Sequence, residues 1–157
     1  MKKLKNALAS KGSYHCFGCS PENPRGLKME FWLDGDDVVS FFEPEWFYDG
    51  WKGIMHGGII ATMMDELGEW IIFSQLGTTG VTTDLNVRYK RPVRTDEGKI
   101  EIRGTLREIK RNIVFIDVNI RNESGKICAQ AEIAYYTFSR EQAKEKFDFP
   151  DKESFLD

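Results

Sequence analysis

Polar and apolar residues alternate in four segments of the second half of the chain, residues 81–89, 99–109, 112–121 and 126–138. This period of two is typical of β-strands that bury one face and expose the other. The links between the last three segments are short, at residues 110–111 and 123–125, and they predict antiparallel hairpins. The pattern therefore indicates an antiparallel sheet with one solvated face.

The segment from residue 57 to about residue 75 has a different pattern. Its apolar side chains cover most of the circumference of a helix, at Ile59, Ile60, Met63, Met64, Leu67, Trp70, Ile71 and Phe73. The polar side chains are confined to a narrow face, at Thr62, Asp65, Glu66 and Glu69. A helix with so little polar surface is expected in the centre of the fold.

Two short aromatic-rich runs, residues 28–33 and 37–43, flank the turn sequence Asp34-Gly35-Asp36 and predict a β-hairpin. Residues 43–55 have no clean period, and we expect an irregular loop there. Together these elements predict an α+β fold, in which a curved antiparallel sheet of five to six strands wraps around one long central helix.

Composition narrows the class of protein. The chain has 22 basic and 25 acidic residues and a net charge of −3, which does not indicate a nucleic-acid partner. Its uncharged, largely apolar stretch at residues 54–64 is far shorter than the roughly 20 residues of a membrane span. Residues 1–8 lack the apolar core of a signal peptide, and three cysteines, an odd number, fit reduced thiols. We therefore predict a cytoplasmic protein that does not enter a membrane.

Candidate chemistry lies at the start of the predicted helix, at His56-Gly57-Gly58. A helix N-terminus presents unpaired N–H groups and positive potential, and glycines let a thioester carbonyl approach them. Asp65 follows two turns later, where a carboxylate could act as a base or a nucleophile. Taken alone, the glycines are also typical of a tight helix entry. Asp65 could likewise belong to a solvated stripe on the helix.

Residues 53–66 read GIMHGGIIATMMDE, and residues 80–93 read GVTTDLNVRYKRPV. Both segments resemble the signature of hot-dog-fold thioesterases of the PaaI-like group. The order of hairpin, helix and four strands is also the hot-dog order. The resemblance covers residues 14–138 as the hot-dog thioesterase domain. It leaves residues 1–13 as an N-terminal segment and residues 139–157 as a charged tail with a short helix and a loose end.

The resemblance implies an acyl-CoA thioesterase that hydrolyses a coenzyme A thioester and needs no cofactor or metal. It implies that the Gly57 N–H polarises the carbonyl and that Asp65 activates water or attacks directly. It also implies that His56 orients the site and that Thr82 holds water or substrate. Further substrate contacts are expected at Gly58, Trp51, Glu66, Thr83, Lys90 and Arg91.

The chain departs from several relatives at Gly50, where they carry Asn or Gln to contact the thioester carbonyl. That contact is either missing here or replaced by Asp49 or Trp51. Helix geometry adds a prediction, because Gly57 and Asp65 are about 12 Å apart along the helix axis and cannot act together on one carbonyl. We therefore predict an obligate homodimer, or a dimer of dimers, in which each site combines Gly57 of one protomer with Asp65 of another.

Three further groups of residues have two explanations each. Basic residues near strand ends could bind the phosphates of coenzyme A or form a solvated rim, at Lys90, Arg91, Arg94, Lys110 and Arg111. Aromatic residues before the glycines could line an acyl pocket or pack at a subunit interface, at Trp46, Phe47, Tyr48 and Trp51. His15, Cys16 and Cys19 have the spacing of zinc ligands, but a structural site needs four, so a turn is favoured.

Two other functions compete with thioester hydrolysis. The first is a non-catalytic hot-dog protein that binds an acyl-CoA as a sensor, which the loss of the Asn or Gln at Gly50 keeps open. The second is a dehydratase of 3-hydroxyacyl thioesters, which the short spacing from His56 to Asp65 disfavours.

Overall fold

The computed structural model describes residues 1–156. The nine strands are β1 (Lys2–Lys3), β2 (Trp32–Asp34), β3 (Asp37–Phe42), β4 (Asp49–Trp51), β5 (Ile54–Met55), β6 (Gly80–Tyr89), β7 (Ile100–Lys110), β8 (Ile113–Arg121) and β9 (Ile127–Thr137). The two α-helices are α1 (Gly57–Ile71) and α2 (Arg140–Phe147). A π-helical turn, Ile72–Leu76, continues α1, and Gly77 ends it with a positive φ of 67°.

Seven strands form one antiparallel sheet in the order β1-β2-β3-β7-β8-β9-β6. The four strands from β6 to β9 match the four alternating segments, and α1 matches the apolar helix, so these predictions are confirmed. The sheet exceeds the expected five to six strands because Lys2–Lys3 pairs with Leu33 and Trp32. Two lysines alone carry no strand pattern, so this pairing was not predictable from local patterns.

Helix α1 lies against the inner face of the sheet and forms the centre of the core. Met63, Met64 and Leu67 are fully buried. Gly104 of β7 allows the helix to come close, because a Cβ there would lie 2.5 Å from Leu67 Cδ2. A larger residue at this position would push the helix away from the sheet.

Both ends of the chain join this core. Leu4 is only 4% exposed, and the Lys5 N–H donates to the carbonyl oxygen of Phe155 at 3.0 Å. Phe155 is fully buried, with its ring 5.8 Å from that of Trp70. The expected loose end after α2 is therefore wrong for residues 149–155, because their aromatic side chains fill space beside Trp70.

The segment predicted as an irregular loop, residues 43–55, is only partly irregular. It contains a 3₁₀ turn, Trp46–Tyr48, followed by β4 and β5, which pair with each other. The turn at Gly53 has a positive φ of 75°. This small hairpin leads directly into α1 and fixes the direction in which the helix begins.

Candidate active site

The first turn of α1 is organised by His56. The side-chain Nδ1 of His56 accepts a hydrogen bond from the Gly58 N–H at 2.9 Å. The backbone N–H of His56 donates to the Tyr48 carbonyl oxygen at 2.8 Å. The His56 side chain is thus the N-cap of the helix. Within residues 1–156 the Gly57 N–H has no acceptor. Of the two glycine N–H groups considered for an oxyanion hole, only that of Gly57 is free.

Tyr89 fixes the other side of the same peptide. Its hydroxyl donates to the Gly57 carbonyl oxygen at 2.6 Å. Tyr89 is the last residue of β6, so the edge strand of the sheet is joined directly to the start of the helix. The sequence did not identify Tyr89 as a site residue, although the period of two places its side chain on the same face of β6 as that of Val87.

A cavity of about 310 Å³ opens beside this helix end. Its walls are mostly apolar, and its residues include Ile54, Met55, Gly57, Ile60, Tyr89, Lys90, Arg91, Pro92 and Val93. An apolar cleft with a few polar groups is the usual form of a small-molecule site. A polar groove of about 460 Å³ on the other face of the sheet, around Arg103 and Asp117, contains none of the predicted site residues.

Asp65 lies in the middle of α1 and faces the beginning of β6. Its Oδ1 accepts hydrogen bonds from the Thr82 hydroxyl at 2.7 Å and the Tyr135 hydroxyl at 3.1 Å. The same Tyr135 hydroxyl lies 2.8 Å from the Asp65 carbonyl oxygen. Burial raises the pKa of Tyr135 well above its usual value, so the hydroxyl remains a donor.

The contact between Tyr135 and Asp65 was not predicted from the sequence. Tyr135 lies on the buried face of β9, where its alternation with Ile133 and Ala131 would have predicted an inward direction. Gly68 provides the room, because a Cβ there would overlap the Tyr135 ring. A glycine inside a strongly apolar helix was the available signal.

The two threonines of β6 have different positions. Thr82 contacts Asp65, whereas the Thr83 hydroxyl donates to the Ala134 carbonyl oxygen at 3.1 Å and does not contact Asp65. The pairing of β6 with β9 is irregular between Thr82 and Asp84. This bulge changes which side chains face the helix. The structure therefore brings Thr82 to the carboxylate but leaves Thr83 on the strand.

Glu66 faces away from Asp65. Its carboxylate accepts from the Trp70 indole N–H at 3.1 Å and lies 3.3 Å from Cys16 Sγ. Gly18 covers it, since a Cβ there would lie 2.5 Å from Glu66 Cδ. Burial raises the pKa of Glu66 to about 8, and a hydrogen bond with Cys19 lowers the pKa of Cys16 to about 5. The predicted substrate residue Glu66 is thus in a separate cluster.

Glu69 lies one turn after Asp65. Its Oε1 accepts from the Thr79 hydroxyl at 2.8 Å and from the Gly80 N–H at 2.9 Å. Burial raises the pKa of Glu69 to about 7, although these two hydrogen bonds oppose the shift. Glu69 thus holds the start of β6 against the helix that carries Asp65.

The loop before α1 contains Gly50, the position at which several relatives carry Asn or Gln. Gly50 packs on His56, because a Cβ there would lie 3.1 Å from His56 Cα. Asp49 accepts from the Gly53 N–H at 3.0 Å and the Thr95 hydroxyl at 2.7 Å, so its carboxylate is engaged in the loop. Trp51 is 81% exposed. Of the two replacements considered, only Trp51 has a free side chain.

The five basic residues considered for phosphate binding do not form one cluster within a chain. Lys90 and Arg91 follow the end of β6 and line the cavity at Gly57. Arg94 lies nearby but pairs with Asp96 at 2.9 Å. Lys110 and Arg111 lie at the β7–β8 turn, at the opposite end of the strands. The strands separate residues 90–94 from residues 110–111 by their full length, so all five cannot contact one phosphate group within a chain.

Comparisons with known proteins agree with this fold. The family model described as "Thioesterase superfamily" matches residues 52–129. Human acyl-coenzyme A thioesterase 13 is 30% identical over 80 residues, which are 50% of this chain and 56% of that protein. The chain spans somewhat more than half the length of the curated relatives it matches.

Two solved structures extend the comparison. A thioesterase from Haemophilus influenzae aligns with a TM-score of 0.65 and 25% identity, over 73% of this chain and 80% of that one. Zebrafish thioesterase superfamily member 2 aligns with a TM-score of 0.63 and 27% identity, over 69% of this chain and 81% of that one. The predicted hot-dog fold and the predicted resemblance to hot-dog-fold thioesterases are confirmed.

Within residues 1–156, no helix combines the length and the apolar character that a membrane crossing requires.

Proposed function

We propose that the chain hydrolyses acyl-CoA thioesters. The observation that carries this proposal is the free Gly57 N–H at the start of α1, which opens on an apolar cavity flanked by Lys90 and Arg91. In the reaction, the thioester carbonyl accepts from this N–H, so negative charge that develops on the oxygen meets the positive end of the helix. The name of the human relative, an acyl-coenzyme A thioesterase, supports the same substrate class.

The attack is assigned to Asp65. Its carboxylate supplies the oxygen that adds to the carbonyl carbon, or takes the proton of the water that does so. The tetrahedral intermediate collapses, the C–S bond breaks, and the thiolate of coenzyme A leaves. In the base route the thiolate takes up the proton that Asp65 accepted from water. In the nucleophilic route the acyl group stays on Asp65 as an anhydride, which a water molecule then hydrolyses to the free acid, restoring the carboxylate and releasing a proton for the thiolate. Thr82 and Tyr135 hold the carboxylate during this sequence. No cofactor or metal takes part in these steps.

The distance along the helix requires two subunits, because Gly57 and Asp65 are about 12 Å apart along one axis. Strand β6 is an edge of the sheet and exposes Val81 and Leu85. Exposed apolar edges of this kind invite pairing with a second chain. Two β6 strands paired around a two-fold axis, with Thr82 opposite Tyr89, would form a continuous sheet.

This register would also complete the site. Within one chain, Thr82 contacts Asp65 and Tyr89 contacts Gly57. Placing Thr82 of one chain opposite Tyr89 of the other therefore brings Asp65 of the first chain toward Gly57 of the second. We propose a homodimer with two such shared sites, either alone or as half of a dimer of dimers.

The test uses two variants that remove one half of the site each. Gly57→Pro deletes the free N–H, and proline is tolerated at the first helical position. His56 already has φ −59° and ψ 130°, a conformation compatible with a following proline. Gly57→Ala is the matched control, because it keeps the N–H and its Cβ would meet the Tyr89 ring at an ordinary 3.5 Å. Asp65→Asn removes the attacking carboxylate.

Each variant alone should release little thiol from acyl-CoA substrates, while Gly57→Ala should remain active. A refolded equal mixture of Gly57→Pro and Asp65→Asn chains should regain about a quarter of wild-type activity, because half the dimers are mixed and each has one intact site. No recovery would show that Gly57 and Asp65 act within one chain. Full activity of a monomer at high dilution would also contradict the shared site.

A non-catalytic acyl-CoA-binding protein remains the second candidate. The observation that favours it is the loss of a second carbonyl contact, since Gly50 packs on His56 and Asp49 is engaged in the loop. This function predicts acyl-CoA binding by calorimetry without turnover on short, medium, long or aromatic acyl chains. Thiol release above the rate of Asp65→Asn would exclude it.

A further inference from the structure

A second group of reactive side chains lies on a different face of α1 from the one that contacts Thr82. Residues 14–20 form a loop that crosses the helix and places Cys16 and Cys19 beside Glu66. The two sulfur atoms and a carboxylate oxygen of Glu66 all lie within 4.8 Å of one another. The proposed thioester chemistry uses none of the three, so the cluster requires its own explanation.

The spacing within the cluster fits a coordinated ion. Cys16 Sγ lies 3.4 Å from Glu66 Oε1 and 3.3 Å from Oε2. Around a tetrahedral zinc ion, with Zn–S of about 2.3 Å and Zn–O of about 2.0 Å, a sulfur and an oxygen ligand lie about 3.5 Å apart. The pair is therefore already at the separation of two ligands of one ion.

Neighbouring groups hold the candidate ligands in place. The Trp70 indole N–H donates to Glu66 Oε1 at 3.1 Å, and the Tyr14 hydroxyl lies 3.1 Å from Cys19 Sγ. The Ser20 N–H closes the cysteine loop by donating to the Cys16 carbonyl at 3.1 Å. Such outer contacts orient metal ligands. Gly18 has no side chain, which lets the loop lie directly on the carboxylate.

The sequence by itself offered His15, Cys16 and Cys19 from one short segment. The structure leaves His15 exposed and supplies Glu66 from α1 instead. Two thiolates and a carboxylate favour Zn²⁺ over Mg²⁺ or Ca²⁺, which prefer oxygen ligands alone. Three protein ligands leave one tetrahedral position open, and a water molecule can occupy it.

We propose that Cys16, Cys19 and Glu66 bind one Zn²⁺ ion per chain. The ion joins the loop of residues 14–20 to α1 at the residue next to Asp65. It therefore fixes the N-terminal part of the chain on the helix that carries the proposed catalytic carboxylate. The site revises the expectation that the cysteine loop is only a turn, and it does not depend on the proposed thioester hydrolysis.

The experiment uses the full-length protein, reduced and freed of metal with a chelator. Zn²⁺ is titrated by calorimetry, and Co²⁺ is titrated in parallel by absorption spectroscopy. We expect one ion per chain for both metals. We also expect a thiolate-to-cobalt charge-transfer band, which a carboxylate site without sulfur ligands would not give.

Two variants remove one ligand each. Cys19→Ser and Glu66→Gln should each weaken Zn²⁺ binding at least about 100-fold, beyond the range of 10- to 100-fold for outer contacts. Glu66→Gln keeps the shape of the side chain and an acceptor for Trp70, so it tests the ligand if Cys19→Ser does not fold. Circular dichroism in the presence of chelator checks the fold of both variants.

Cys128→Ala is the matched control, because Cys128 is buried at the start of β9 outside the cluster. It should bind Zn²⁺ as tightly as the wild type. The proposal is overturned if reduced wild type binds no Zn²⁺, or if Cys128→Ala loses as much affinity as Cys19→Ser. If the reduced protein binds no metal but readily forms a Cys16–Cys19 disulfide, the two cysteines are a redox pair and the proposal is wrong.

Discussion

Asp65 and Glu66 are adjacent on α1, yet their surroundings have little in common. Asp65 faces the edge strand β6 and accepts from the hydroxyls of Thr82 and Tyr135. Glu66 is covered by the cysteine loop and contacts an indole and a thiol. Successive side chains on a helix point about 100° apart, so these neighbouring carboxylates face different elements, β6 for Asp65 and the cysteine loop for Glu66.

These different surroundings give the two carboxylates different chemical properties. The hydroxyls of Thr82 and Tyr135 orient the Asp65 carboxylate, which attacks the carbonyl or takes a proton from water in the proposed reaction. Enclosure favours the protonated form and raises the pKa of Glu66 to about 8. Asp65 is therefore suited to the proposed chemistry, and Glu66 is suited to a closed cluster or to a bound cation.

The largest expected effect is the difference in kcat between variants of Asp65 and Glu66. Asp65→Asn should lower kcat at least about 100-fold, some 2.7 kcal/mol of barrier. Glu66→Gln should lower it less than about 10-fold, since its carboxylate lies away from Thr82. Thiol release under saturating acyl-CoA measures both. The division of roles would be wrong if Glu66→Gln were the more damaging change.

Removing the Tyr135 hydroxyl, which contacts both the carbonyl oxygen and Oδ1 of Asp65, tests how that side chain is held. Tyr135→Phe deletes the donor to Asp65 Oδ1 and leaves buried polar groups unsatisfied, so the free energy of unfolding should fall by about 1–3 kcal/mol. Urea denaturation measures this loss. Tyr136→Phe, on the exposed face of the same strand, is the control and should change stability by less than about 0.5 kcal/mol.

A pH series sharpens the comparison with Glu69, which shares a helix face with Asp65. Its folded pKa of about 7 lies above the ordinary value of 4.5 in the unfolded chain, so the folded state binds more protons between these values. The stability from this group is complete below pH 4.5 and is lost as pH rises through 7.

The measurement compares wild type with Glu69→Gln by urea denaturation from pH 4.5 to 8. In the wild type, Glu69 should contribute a decrease of up to about 1.4 kcal/mol per pH unit within this window. The glutamine variant keeps an acceptor for Thr79 and Gly80 and should lack that contribution. Identical slopes for the two proteins would mean that Glu69 ionises normally in the folded state.

The smallest effect is expected at Thr82. Thr82→Val removes one hydroxyl donor to Asp65 but leaves Tyr135 in place, so kcat should fall by about 5-fold, or roughly 1 kcal/mol. Thr83→Val is the neighbouring control, because its hydroxyl contacts Ala134 and not Asp65. Equal losses in the two variants would place the effect in the strand rather than at the carboxylate.

Much of the fold was accessible from local patterns. The alternation over residues 99–109 has a period of two, which predicts a β-strand. The apolar surface of α1 covers most of the helix, which predicts a central, buried position. His56-Gly57-Gly58 also predicted a helix start with an accessible N–H. Lys2–Lys3 and Phe155 were not predictable in this way, because their positions depend on pairing and packing with distant residues.

The sequence by itself determined the four long strands β6 to β9, the central helix and the positions of Gly57 and Asp65 on it, because these follow from periods within one segment. Only the tertiary structure decided which side chains meet them. Tyr135 reaches Asp65 across 70 residues, and Cys16 reaches Glu66 across 50. Such contacts depend on the register of a sheet and on the path of a loop over a helix, and neither leaves a periodic trace in the chain.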